Sequence, residues 1–300
     1  MARSMAYATL PTEQANPRSR SLDRLSVARV LRLMNQEDAR VPRAVARALP
    51  QIRAAVARIV ASLQEGGRLW LVGAGTSGRL CVLEAAECPP TFGTPRTLIQ
   101  AVIAGGRSAV FRAREGLEDD RRAARTAIRR RVHAGDLVVG VAASGVTPFV
   151  RAALSEAHAR AAATVLVTCH PRARPAPPVD VLIAAPVGPE LIAGSTRLKA
   201  GTATKLILNM LTVASMVRLG KVYGNLMVDV RPTSRKLTAR ATRIISTVAR
   251  VSPQSARRAL READGHVPSA IVIAARGVTR RVARSLLARH HGRVHDVLGR

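Results

Sequence analysis

The sequence predicts an α/β fold: a five-stranded parallel sheet sandwiched by helices, with a small helical region at the carboxyl terminus. Three observations carry this. Five short aliphatic, β-branched runs are separated by gaps long enough for crossover helices. The apolar share, 47% of 300 residues, suffices for a substantial core. Arg-rich stretches of helical spacing fill the chain after residue 252.

In chain order, Val41 to Gln64 places apolar residues at helical spacing and precedes the first strand, Leu69 to Val72. The remaining strands are expected at Leu98 to Ile103, Leu137 to Val141, Thr164 to Thr168 and Val181 to Ala185. The run Arg121 to Arg131 reads as the solvated face of a helix, and Pro171 to Pro178 as a short Pro-rich turn. Thr196 to Leu219 reads as a long, largely buried helix, and Ser252 as the N-cap of the helices that close the chain. The chain is thus divided at 250/251, into a sheet domain with N-terminal helices and a helical subdomain over 251–300.

No uninterrupted apolar stretch approaches the ~18–20 residues needed to cross a bilayer, and Met1 to Arg20 lacks a signal-peptide core, so a cytoplasmic location is expected. Cys81, Cys88 and Cys169 have no metal-ligand spacing and are odd in number, which points to reduced thiols. The net charge of +29 raises a nucleic-acid hypothesis. However, the excess lies in 44 Arg against 4 Lys scattered through the chain, and six aromatics provide few stacking platforms. Compositional drift is the preferred explanation, and neither nucleic acid nor membrane is expected as a partner.

Chemistry in an open parallel sheet belongs at the carboxyl ends of the strands. After the first strand comes Gly73-Ala74-Gly75-Thr76-Ser77-Gly78-Arg79, with the glycine spacing of a dinucleotide fingerprint. The second strand, however, runs into Ala104-Gly105-Gly106 without the acidic residue that would hold a ribose, and no Gly-Lys-Ser/Thr follows for a nucleotide loop. The loop offers hydroxyls and amides, which suit sugar hydroxyls and a phosphate monoester. A second such loop, Ala143-Ser144-Gly145-Val146-Thr147-Pro148, follows the third strand. Ser144 and Thr147 there suit a helix cap as well as they suit a ligand. Ser195, Thr196, Arg197 and Lys199, at the start of the long helix, make a further phosphate or interface site, or else a turn entering a core helix.

Taken in order, these blocks resemble the N-acetylmuramic acid 6-phosphate etherases, a family on the sugar isomerase (SIS) fold that is related to the glucokinase regulatory protein. The resemblance begins with Leu10-Pro11-Thr12-Glu13 and Leu33-Met34-Asn35-Gln36-Glu37-Asp38. It continues through Gly73 to Gly78, Glu87-Cys88-Pro89-Pro90-Thr91-Phe92-Gly93 and Glu115-Gly116-Leu117-Glu118-Asp119. Its most specific portion is Gly188-Pro189-Glu190 with Gly194 to Thr202, followed by Gly220 to Val230. The family implies cleavage of the lactyl ether to N-acetylglucosamine 6-phosphate and D-lactate in cell-wall recycling, without metal or redox cofactor, by a homodimer with sites near the subunit interface.

An ether at C3, beta to a C1 aldehyde, leaves by elimination once the open-chain sugar loses its C2 proton. One carboxylate must take that proton and one carboxylic acid must assist lactate departure. The resemblance assigns Glu87 as donor and Glu118 as base; Gly75, Thr76, Ser77, Arg79, Ser144, Gly145, Thr147, Glu190, Ser195, Thr196, Arg197 and Lys199 are expected around the substrate. The residues agree for Glu87, which precedes a Pro-Pro turn among apolar neighbours and is expected to be partly desolvated. They do not choose among Glu115, Glu118, Asp119 and Asp120, which cluster where a helix dipole alone favours acids. The chain departs from the family pattern at Val146, where Arg is usual, at Cys81 for Gly, and at Cys169-His170-Pro171 for Cys-Asn-Pro; His170 reads as structural. A non-catalytic sugar-phosphate sensor would need neither glutamate, and an aldose–ketose isomerase would use the same loops without releasing lactate.

Overall fold

The computed structural model describes residues 10–174, 178–230, 232 and 234–299. Residues 1–9 and the middle of the Pro171–Pro178 turn lie outside the described residues. The described helices and strands are α1 (Val27–Asp38), α2 (Val41–Ala46), α3 (Leu49–Gln64), β1 (Leu69–Gly73), α4 (Gly75–Phe92), β2 (Ile99–Ile103), α5 (Ser108–Phe111), α6 (Arg121–Arg129), β3 (Leu137–Val141), α7 (Pro148–Ala159), β4 (Ala163–Thr168) and β5 (Val181–Ala184). They continue with α8 (Lys199–Arg218), the two-residue strands β6 (Val222–Tyr223) and β7 (Leu226–Met227), α9 (Arg235–Ala249), α10 (Pro253–Glu262), α11 (Val267–Arg276), α12 (Arg280–Arg289) and α13 (Val294–Leu298).

The chain forms two compact units, one of residues 1–85 and 97–212, the other of 86–96 and 213–300. The first unit holds a five-stranded sheet in the order β2-β1-β3-β4-β5, every pair parallel. β1 and β3 are buried along their whole length, which is why they read as near-continuous aliphatic runs. Trp70, Val72, Val138 and Leu166 pack with Ala124 and Ile128 of α6 and with Val150 and Leu154 of α7. α3 packs against β1, β3 and β5, burying Ile52, Ala55 and Ile59. The solvated-face reading of the Arg121 run holds: Ala124 and Ile128 are the buried residues of α6.

The predicted helix over Val41 to Gln64 is divided into α2 and α3. Pro50 has no amide hydrogen for the Ala46 carbonyl and instead occupies the first turn of α3, where no donor is required. The Pro-Pro turn expected after Glu87 is absent, because Pro89 and Pro90 lie inside α4. They cost the carbonyls of Ala85 and Ala86 their helical donors. The helix runs on because Cys88 and Phe92, one turn apart, are both buried and Gly93 N donates to Pro89 O at 3.0 Å.

Helix α8 has the length and hydropathy of a membrane span, yet Ala203, Ile207, Leu208 and Leu211 are buried in the protein. In the second unit, Ile244, Ile245 and Val248 of α9 form one core with Leu260, Ile271, Leu287 and Val228. The 250/251 division drawn from sequence falls inside this unit, between α9 and α10. Ser252 caps α10 as expected, its hydroxyl accepting from Ser255 N at 3.1 Å. The cysteines are buried thiols; burial pushes Cys81 up, and Cys169 up to about 12, so both stay protonated.

Candidate active site

The sheet order reverses between β1 and β3, so the crevice at their carboxyl ends is the topological switch point. A cleft of about 300 Å³ lies there in the first unit. The amino-end carboxylates are structural by contrast: buried Asp136 accepts from Trp70 Nε1 and from the amides of Arg68 and His133.

One wall of the cleft is the β1–α4 turn, with Ala74, Gly75, Thr76, Ser77 and Arg79. A Cβ added at Gly73 would lie 2.7 Å from Gly78 N, and one at Gly78 2.8 Å from Gly73 O. This mutual approach lets α4 begin immediately at the strand end, aiming its first-turn amides into the cleft where an anion is favoured. Arg79 Nε donates to Val110 O at 3.0 Å, which holds that guanidinium at the rim.

The facing wall is the β3–α7 loop, with Ala143, Ser144 and Thr147. Gly145 has φ +73°, the left-handed turn that brings this loop round; it does not line the cleft itself. Neither hydroxyl caps α7. Thr147 occupies the N-cap position without a side-chain capping bond, and Ser144 Oγ accepts from Val146 N at 3.3 Å within the loop.

A third side is the segment before α6. Glu115 and Glu118 line the cleft, the latter from a 3-10 turn over Leu117–Asp119. Asp120 instead caps α6, accepting from Ala123 N at 2.8 Å. The structure thereby narrows the acidic cluster to two residues facing the cleft, Glu115 and Glu118. Thr196 completes the set expected from sequence.

Ser195 does not line this cleft. Glu190, Arg197 and Lys199 line a separate 180 Å³ cavity with Glu37 and Asp38. Glu190 is 1% exposed and accepts from the amides of Lys199 (3.1 Å) and Ala200 (2.9 Å), so it caps the start of α8. Burial raises its pKa against those two bonds. Lys199, 2% exposed, donates to Glu37 Oε2 at 2.5 Å and to Pro189 O at 2.7 Å. Both residues spend their polar atoms on the fold.

Glu87 belongs to the second unit, on the carboxyl-terminal half of α4, and its side chain is exposed. The desolvation expected from its apolar neighbours is not observed in the single chain, because Cys88 takes the buried face of the turn. The buried carboxylate of α4 is Glu84, which sequence reading passed over. It accepts from Thr212 Oγ1 at 2.5 Å, with Lys205 Nζ at 3.5 Å.

Cleft residues not anticipated are Thr12, Glu13 and Arg114. Thr12 is 5% exposed, donates to Glu13 Oε1 at 3.0 Å, and its carbonyl accepts from Gly194 N at 2.9 Å, which ties the amino-terminal segment to the loop after β5. The only sequence signal for the pair was its place in the first family block. Among the described residues no three His, Cys, Asp or Glu side chains converge as a metal-ligand set.

An open parallel sheet with hydroxyl-bearing loops at its switch point defines a SIS-type α/β domain. The model of the glucokinase regulatory protein N-terminal SIS domain matches residues 51–158. A crystal structure from Bacteroides fragilis, solved as a candidate phosphosugar isomerase involved in capsule formation, shares the fold. It has a TM-score of 0.50 and 19% identity, over 64% of this chain and 91% of that one.

The chain belongs to the N-acetylmuramic acid 6-phosphate etherase family. It is 51% identical to the etherase of Symbiobacterium thermophilum over 269 residues, 90% of each chain. It is 46% identical to that of Mesorhizobium japonicum, over 94% of this chain and 92% of the relative.

Proposed function

We propose that this protein is a carbon–oxygen lyase that converts N-acetylmuramic acid 6-phosphate to N-acetylglucosamine 6-phosphate and D-lactate during reuse of peptidoglycan sugars. The observation that carries the reading is identity of about half the residues, over nine-tenths of the length, to a protein named for that reaction.

The chain's geometry supports it. The amides and hydroxyls of Thr76, Ser77, Ser144 and Thr147 offer the 6-phosphate the first turns of α4 and α7. Glu118 then takes the C2 proton of the open-chain aldehyde. The electron pair forms the C2–C3 double bond and expels the lactyl oxygen from C3; the proton that oxygen receives is assigned to Glu87 by the family resemblance alone, since Glu87 is not among the residues lining the cleft. Water adds at C3 and a proton returns to C2, the two carboxyl groups acting in reverse, so that the sum is hydrolysis of the ether.

The working form in this reading is a cytoplasmic homodimer. Val27 and Leu31, one turn apart on α1 and 75% and 60% exposed, give a second copy apolar surface to cover.

The test is D-lactate release from N-acetylmuramic acid 6-phosphate, with Glu87→Ala and Glu118→Ala beside the wild type and a chelator present throughout. Lactate from the wild type and from neither variant supports two essential carboxyl groups and no metal. A folded wild type that binds the sugar phosphate and releases none overturns the reaction in favour of a sensor.

A further inference from the structure

The substrate of the proposed reaction carries two anions, a phosphate on C6 and the lactyl carboxylate on C3, and one cluster of hydroxyls and helix amides accounts for only one of them. Two cations line the cleft, Arg79 and Arg114. Arg79 lies in the second turn of α4, on the phosphate side, with its Nε committed to the Val110 carbonyl. Arg114 lies four residues before Glu118 on the segment that supplies the base. Its guanidinium is exposed and donates to a neutral partner, Ser108 Oγ, at 3.2 Å. Among the described residues no carboxylate pairs with it.

The base acts at C2, one bond from the carbon that bears the lactyl ether, whereas the phosphate is three carbons beyond C3. With C2 at Glu118 and the phosphate at the α4 and α7 termini, the lactyl group on C3 belongs at the Glu118 end of the substrate, in the cleft that Arg114 also lines.

We infer that Arg114 is a specificity residue that receives the lactyl carboxylate and so distinguishes muramic from glucosamine phosphates. The inference rests on the proposed reaction for the placement of C2. Recognition needs only a guanidinium–carboxylate pair, in which the planar donor fork of Arg matches both oxygens. When C3–O breaks, the carboxylate of the departing lactate is the group paired with Arg114.

The test separates binding from turnover. Calorimetric affinities for N-acetylmuramic acid 6-phosphate and N-acetylglucosamine 6-phosphate are measured on Glu118→Gln, with and without Arg114→Ala, Arg114→Lys or Arg79→Ala. Expected is a preference of about ten- to a hundredfold for the carboxylate-bearing sugar. Arg114→Ala should erase that preference while changing the affinity for the carboxylate-free sugar by less than about twofold. Arg114→Lys should restore part of it. The inference is overturned if the preference survives Arg114→Ala, or if Arg79→Ala is the variant that erases it. A wild type that releases no lactate while binding preference still depends on Arg114 sinks the reaction and leaves the site standing. Lactate release with an Arg114-independent preference does the reverse.

Discussion

Glu37 shows at the scale of one residue how buried charge holds the sheet unit together. Its carboxylate, 1% exposed, accepts from Lys199 Nζ, Asn16 Nδ2 at 2.9 Å, Arg18 at 2.8 Å and Arg40 at 3.1 Å. Burial alone would raise its pKa, but the Lys199 ammonium and these donors outweigh it and hold the group at about 2. A folded-state value depressed from 4.5 contributes stability that is present in full above pH 4.5 and is lost as pH falls towards 2. The magnitude is on the order of 3 kcal/mol. Glu37→Gln should therefore be less stable than the wild type in urea at pH 7, with the gap closing as pH falls from 4.5 to about 2; a gap independent of pH contradicts the assignment. Lys199→Met, which strands the carboxylate, should cost about 3–5 kcal/mol at pH 7, and the double change should recover much of it. Sequence placed Lys199 and Glu190 with the ligand, and a Lys and a Glu beside a Gly-rich turn look the same in sequence whether they face a phosphate or the protein interior. Only burial tells them apart.

At the scale of elements, the central strands β1, β3 and β4 were legible because burial on both faces writes a continuous aliphatic run. The β1–α4 turn was legible because two glycines must touch for it to form. Helix α4 was not fully legible: local chemistry says that Pro89-Pro90 ends a helix, and the buried positions of Cys88 and Phe92 override it. The exposed side chain of Glu87 follows from the same fact, since the apolar neighbours read as its shield belong to the opposite side of a continuing helix. The end of α4 is set instead by Gly93, whose φ is +65° and whose Cβ, if present, would lie 2.0 Å from the Asp229 carbonyl oxygen. Lys221 and Asp229, paired at 2.5 Å, hold that contact from the far side of the β6–β7 hairpin. Gly93→Ala should thus lower stability by on the order of 2 kcal/mol or more, read as the loss in thermal midpoint, because strain and collision add. Gly224→Ala, also at positive φ but with open space around the added atom, should cost about 1 kcal/mol.

For the whole molecule, two expectations bear on assembly and charge. A homodimer predicts about 64 kDa by light scattering, twice the 31.9 kDa chain, and Leu31→Glu on α1 should shift that mass towards the monomer without unfolding it. A monomer at micromolar concentration contradicts the dimer. The charge of +29 is denser in the second unit, where Val213 to Arg300 has eighteen Lys and Arg against four Asp and Glu. If it is compositional, DNA retention should fall steeply with salt and show no preference among sequences. Retention that persists at 200 mM salt and selects one sequence would assign those arginines a partner. The make-up of the second unit also has a bearing on synthesis. Residues 86–96, which hold Glu87, emerge from the ribosome more than a hundred residues before the rest of their unit begins at Val213. At about 5–20 residues per second they wait several seconds for the hairpin and helices they pack with. A truncated or stalled chain ending before Val213 completes the strands of the sheet and still carries residues 86–96 without the rest of their unit, a target for chaperones and proteases.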